Sequence, residues 1–163
     1  MKTEITREDY LQFNKYFFYK NKLKRTFIIA SISIILWVFI LHIGEPFDLF
    51  EIVIELIAFY LCWTLFVLIL TQIGLQKIKK MPDKDGNILG VKTYLLEENG
   101  FREITDTSET LTKWCGIKKI QESQDYYYVF VDKIAAYIIP KRSFLNKNEE
   151  DEFIKILKEK SEN

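Results

Sequence analysis

The stretch Leu56-Ile-Ala-Phe-Tyr-Leu-Cys-Trp-Thr-Leu-Phe-Val-Leu-Ile-Leu-Thr-Gln-Ile-Gly-Leu75 contains no Asp, Glu, Lys, Arg or His. A bilayer core about 30 Å thick takes about 20 mostly apolar residues of helix, at about 1.5 Å each. This run has that length and lacks the polar face that a core helix of a soluble protein shows. Upstream, Thr26 to Ile43 forms a second apolar run whose one titratable side chain is His42, at its far end. Two such runs joined by a short connector read as a transmembrane helical hairpin.

The charges are sorted by segment, although they sum to zero over the 163 residues. Lys15, Lys20, Lys22, Lys24 and Arg25 precede the first run with no acid after Asp9. Glu45, Asp48, Glu51 and Glu55 lie between the runs with no Lys or Arg, and Lys77, Lys79 and Lys80 follow the second. Lys and Arg beside span ends set orientation, and acids count little. Both flanks are therefore expected on the cytoplasmic side and the connector outside. A cleaved secretory signal fits the first run poorly, because about 20 residues precede it and a second span follows at once. The zero balance gives no reason to expect nucleic acid as a partner.

The expected layout is an amphipathic arm over residues 1–25, a first span over 26–43 and an outer turn over 44–48. A second span with a cytoplasmic extension follows over 49–80, and a β domain over 88–163. In the arm, Thr3-Glu4-Ile5 suits a strand, and Thr6 with Asp9 forms a capping-box pattern. Tyr10, Leu11, Phe13, Phe17 and Phe18 then recur near helical spacing among basic residues. Such a helix suits either the inner leaflet or the surface of the C-terminal domain. Asp48 reads as the N-cap of the second helix with Glu51 three residues on.

Glu51 and Glu55 invite an ion-path reading, since an acid inside a bilayer is costly. The 22 positions from Glu55 to Lys77 make about 33 Å of helix, already the hydrocarbon thickness. Both acids thus fit the outer headgroups. His42 reads as an interfacial residue within reach of Glu45.

Past Met81-Pro82-Asp83 the period changes from helical to strand-like. Strands are expected over Val91 to Glu97, Phe101 to Thr105 after the Asn99-Gly100 turn, Thr110 to Trp114, and Gly116 to Glu122. Lys118-Lys119 breaks the alternation of the last of these. Tyr126 to Val131 is strongly strand-forming, and Asp132-Lys133 reads as a two-residue turn into Ile134 to Ile139. Asn148 is the expected cap of a final helix whose apolar stripe is Phe153, Ile154, Ile156 and Leu157. The fold class read from these patterns is α+β: a transmembrane helical hairpin plus a small antiparallel β domain capped by a C-terminal helix.

The run Thr110-Leu-Thr-Lys-Trp-Cys-Gly-Ile-Lys-Lys-Ile120, the Tyr-rich strand, and Ala135-Ala-Tyr-Ile-Ile-Pro-Lys-Arg-Ser-Phe144 before Glu150 to Leu157 resemble the YcxB-like C-terminal domain. The opening Ile5-Thr-Arg-Glu-Asp-Tyr10 ahead of two spans resembles the N-terminal half of such proteins. The resemblance implies a small protein of the bacterial cytoplasmic membrane whose cytoplasmic domain is pleckstrin-homology-like (PH-like). It brings no activity and no catalytic residues.

The residues themselves show no chemistry. The one His stands at the end of a span, away from Ser108, Ser123, Ser143 and Cys115, so no nucleophile has a base. Cys62 and Cys115 lack a Cys or His neighbour at metal-ligand spacing. The six glycines form no phosphate loop. No enzyme, cofactor or metal is expected. Two basic groups stand as candidate contacts: Lys22, Lys24, Arg25, Lys77, Lys79 and Lys80 for anionic lipid, and Lys141 with Arg142 for an anion or peptide. The expected partners are the lipid bilayer, its anionic lipids, and a protein partner or a second copy. The leading function is a membrane-anchored, non-enzymatic interaction module; a transporter or channel accessory subunit, or an envelope immunity protein, are its rivals.

Overall fold

A computed structural model describes residues 1–20, 24–44, 48–83 and 86–161. Lys22 and Glu45, to which the sequence assigned roles, lie outside the described residues, as do Pro46 and Phe47 of the expected outer turn. The chain divides into two compact units, Met1–Phe13 with Lys79–Asn163 and Asn14–Ile78.

The second unit carries the long apolar helices. α2 spans Lys24–Leu41 and α3 spans Leu49–Lys80; both are long and apolar enough to cross a membrane. α3 begins where the sequence placed it. Asp48 Oδ1 accepts the backbone N–H of Phe50 at 2.9 Å and of Glu51 at 3.4 Å, which satisfies donors that the first helical turn leaves unpaired. Most of the large apolar side chains of both helices are exposed, which is costly in water and neutral in hydrocarbon.

The first unit is a β structure assembled from both ends of the chain. β1 (Lys2–Ile5) pairs antiparallel with β2 (Gly90–Leu96), with Thr3 opposite Lys92. β3 (Gly100–Ile104) and β4 (Glu109–Lys113) complete a four-stranded sheet in the order β1-β2-β3-β4. β5 (Lys119–Glu122), β6 (Tyr126–Phe130) and β7 (Ala136–Pro140) form a second, three-stranded antiparallel sheet. α4 (Lys147–Ser161) follows. Between β1 and β2 the chain runs through α1 (Arg7–Phe18), α2 and α3. The apolar helices are thus an insertion between two paired strands.

Tyr94, Phe101, Ile117, Tyr127, Val129, Ile139, Phe144, Ile154 and Leu157 make one core between the sheets and α4. The Tyr94 hydroxyl donates to the Ile138 carbonyl at 3.2 Å, and the hydroxyls of Thr112 and Tyr137 share a hydrogen bond of 2.6 Å. These bonds tie the two sheets while satisfying hydroxyls that burial would otherwise leave unpaired. β6 is covered on both faces, which explains its unbroken aromatic run. Tyr127 and Val129 join the core, whereas Tyr128 and Phe130 meet Phe13 of α1, with ring centroids 5.3 and 6.0 Å apart. Asp9, Leu11 and Phe13 are buried, so this stretch of the arm packs on the β unit.

Three local expectations need correction. The β6–β7 connection is longer than two residues, because the N–H groups of Val131 and Asp132 both bond the Ala135 carbonyl at 3.0 and 3.2 Å. β7 therefore starts at Ala136, and Ile134 stands exposed. The fourth expected strand shortens to Lys119–Glu122 because Trp114–Gly116 forms a 3-10 turn, closed by Ile117 N–H on the Trp114 carbonyl at 3.0 Å. The cap of α4 is Asn146 rather than Asn148: its Oδ1 accepts Glu149 N–H at 3.0 Å, and Glu149 accepts Leu145 N–H at 2.7 Å.

Candidate functional site

The densest polar cluster of the β unit is built around Asp9. The Thr6-x-x-Asp9 pattern folds as a capping box: Thr6 N–H and its hydroxyl each donate to Asp9 Oδ2 at 2.8 Å, and Asp9 N–H donates to Thr6 Oγ1 at 3.3 Å. That geometry turns the carboxylate back over the β7–α4 connection. There Arg142, in a 3-10 turn at Lys141–Ser143, donates from Nη1 to Oδ1 and from Nη2 to Oδ2, both at 2.7 Å. Tyr126 of β6 donates its hydroxyl to Oδ1 at 2.9 Å. Thr3 and Ser143 share a hydroxyl hydrogen bond of 2.5 Å beside it, and Arg142 Nη2 reaches the Glu4 carbonyl at 3.3 Å.

Planar, two-pronged pairing of guanidinium with carboxylate is the stronger kind of ion pair. Burial pulls the Asp9 pKa upward, and the hydrogen bonds from Arg142, Thr6 and Tyr126 outweigh it, holding the carboxyl at about 2. The Tyr126 hydroxyl is pushed up to about 12, first by burial and then by its bond to Asp9. Asp9 is therefore ionised and Tyr126 neutral at physiological pH. The cluster fastens the N-terminal segment to β6 and β7 and holds no free base.

A second cluster lies at the start of α4. The Tyr127 hydroxyl donates to Glu150 Oε1 at 2.6 Å, and Lys147 Nζ donates to the same oxygen at 2.9 Å. Lys141 Nζ donates to Glu122 at 2.5 Å and stands 4.9 Å over the Tyr127 ring. Burial, followed by the bond to Glu150, holds the Tyr127 hydroxyl well above its ordinary range. Lys141 and Arg142, candidate contacts for an anion or peptide, are thus both engaged with carboxylates of their own chain.

The basic residues beside the apolar helices are more open. Lys24 and Arg25 open α2, Lys77 and Lys80 stand in the last turn of α3, and all four are exposed. Lys79 is paired: its Nζ donates to Glu8 at 2.8 Å. Its carbonyl accepts Arg7 Nη1 at 3.0 Å, which satisfies one of the last carbonyls of α3. In the other unit His42 Nδ1 lies 3.0 Å from the Val38 carbonyl and 3.9 Å from Glu55 Oε2. The sequence had Glu45 as the neighbour of His42; among the described residues the neighbouring acid is Glu55.

Sequence reasoning saw Asp9 only as a cap. No spacing signal joins it to Arg142, which is 133 residues away. Among the described residues no group of three His, Cys, Asp or Glu side chains is arranged to hold a metal.

This arrangement, two antiparallel sheets closed by a C-terminal helix, has a counterpart in sequence. Residues 96–157 match the family model described as YcxB-like protein. The matched segment is preceded by two helices long and apolar enough to span a membrane. The match runs from the end of β2 to near the end of α4, so β1 and nearly all of β2, which complete the first sheet, lie outside it. No curated protein and no solved structure matches the chain.

Proposed function

We propose that this chain is a two-span protein of a bacterial cytoplasmic membrane whose β unit works at the cytoplasmic face as a non-enzymatic interaction module of PH-like architecture. The observation that carries the proposal is the pairing of β1 with β2 across the inserted helices. A folded unit built from both flanks of a hairpin keeps both flanks on one side of whatever the hairpin crosses. Lys24, Arg25, Lys77 and Lys80 beside the helix ends argue that this side is the cytoplasm. A four-stranded and a three-stranded antiparallel sheet followed by one helix support the PH-like reading. The polar clusters support an interaction role, because their carboxylates are taken up by cations and hydroxyls of the same unit.

The partner is a protein or a second copy, with the bilayer and its anionic lipids as surroundings. The test is affinity capture of the full chain from gently solubilised bacterial membranes, with a two-span control of unrelated fold. Stoichiometric recovery of one protein supports the proposal; recovery of nothing above the control, together with a monomeric mass, sinks it.

One observation favours a second reading, an accessory role in solute movement. Glu55 Oε2 is buried with no hydrogen-bond partner among the described residues, close to the single His. Acids within spans often mark ion pathways. His42→Gln and Glu55→Gln that leave proton and cation flux into vesicles unchanged end that reading.

A further inference from the structure

Between the start of β5 and the last turn of α4 the β unit has a cavity of about 310 Å³, lined by Ile117, Lys118, Lys119, Ile120, Lys158 and Ser161. Three of these six residues are lysines and none is an acid. The local fold explains the crowding. The 3-10 turn at Trp114–Gly116 directs Ile117 into the core, and Lys118 N–H then bonds the Phe130 carbonyl at 2.7 Å. Lys118 precedes the regular strand, so it and Lys119 are both exposed instead of alternating. Lys158 enters from α4.

Most ion-paired lysines of this unit are matched at close range, as in Lys79 with Glu8, Lys92 with Glu103, Lys141 with Glu122 and Lys147 with Glu150. Lys118, Lys119 and Lys158 are in no ion pair among the described residues, and Lys119 Nζ stands 4.7 Å over the Phe130 ring. Glu122 lies within the field of Lys158 but is held by Lys141. The C-terminal end of α4 opposes an anion here with about half a charge, against the full positive charges of Lys118 and Lys158 at the cavity.

The geometry points to a binding site for a compact phosphate-bearing anion. Lys118 and Lys158 supply six ammonium donors for phosphate oxygens, Lys119, whose Nζ stands over Phe130 on the other face of β5, adds positive field, and Ile117 and Ile120 give an apolar wall for a short carbon skeleton. The volume stands at the small end of ligand sites, which run from about 300 to 1,000 Å³, and suits one phosphate with a glycerol-sized group. Such a group arrives either as a soluble phosphomonoester or as a phospholipid headgroup. The proposal goes beyond the interaction reading and does not depend on it.

The test is calorimetric titration of the full chain with glycerol 3-phosphate, in nanodiscs of phosphatidylcholine and in nanodiscs containing one-fifth phosphatidylglycerol. Saturable binding at one per chain is expected in the neutral discs. Lys118→Gln, Lys119→Gln and Lys158→Gln together weaken it at least tenfold, and Lys158→Glu alone weakens it comparably. The equal-charge control Lys2→Gln, Lys113→Gln, Lys133→Gln, at exposed positions outside the cavity, changes it less than twofold. Weakening in the anionic discs marks the headgroup as occupant; unchanged binding there marks the soluble ester. No saturable binding in neutral discs, or equal weakening by the control triple, overturns the site.

Discussion

Replacing Asp9 by Asn keeps the outline of the side chain and removes its charge. The residue is 1 % exposed and receives both prongs of Arg142 at 2.7 Å. Burial raises such a carboxyl, but the bonds from Arg142, Thr6 and Tyr126 bring it from an ordinary 3.8 to about 2. That fall corresponds to about 2–3 kcal/mol of folding stability at neutral pH. The Arg142 side chain is 53 % exposed, so water recovers part of its solvation when Asp9 is neutralised. The loss therefore stays below the roughly 3–5 kcal/mol of breaking a fully buried pair.

The pH dependence follows from the sign. The folded-state pKa lies below the unfolded one, so this stabilisation is complete above about pH 5 and disappears as pH falls through 4 towards 2. Urea unfolding of the full chain in detergent, with Trp37→Phe and Trp63→Phe leaving Trp114 as reporter, measures it. Asp9→Asn loses about 2–3 kcal/mol at pH 7 and converges on the parent near pH 2. A loss below about 0.5 kcal/mol at pH 7, or one that persists unchanged to pH 2, refutes the reasoning.

Two further substitutions probe the β unit. A Cβ at Gly100 would collide with the Thr112 carbonyl oxygen, so Gly100→Ala forces β3 and β4 apart. Amide exchange across β3–β4 then rises at least tenfold, while β5–β7 change little. Leu157→Ala empties a position that is 0 % exposed; the unfolding free energy falls by about 2–5 kcal/mol, and the exposed Lys155→Ala serves as the neutral reference.

How much of this was legible in the sequence depended on the range of the interactions. α3 was read to within a residue because its signals are local: an Asp48 cap, a charge-free run and basic residues at the end. Gly100 and the strands around it were read from period and turn chemistry. The β6–β7 connection was missed because Asp132-Lys133 resembles a tight turn, and only the register of Phe130 against Ala136 shows the extra residues. In sequence Asn148 has the pattern of a cap because Glu149-Glu150-Asp151 resembles a first turn, whereas the helix starts at Lys147.

The candidate sites were harder still. Lys141 and Arg142 were seen as free cations, since their partners Glu122 and Asp9 are brought close only by the tertiary fold. The cavity lysines were visible only as a break in alternation at Lys118-Lys119, and Lys158 joins them from a different element. The strand at Thr3-Glu4-Ile5 was recognised, but nothing in one sequence says that it pairs with residues 90–93 across the inserted helices.

That pairing requires both flanks of the hairpin to lie on one side of the membrane, which is the central claim, and cysteine accessibility tests it most directly. In full-length protein with Cys62→Ser and Cys115→Ser, single substitutions Glu4→Cys, Ile43→Cys and Lys133→Cys are treated with a membrane-impermeant maleimide. The account predicts that Ile43→Cys is labelled in intact cells, and that Glu4→Cys and Lys133→Cys are labelled together only after the cells are opened. Labelling of Glu4→Cys and Lys133→Cys from opposite sides of the membrane would contradict it.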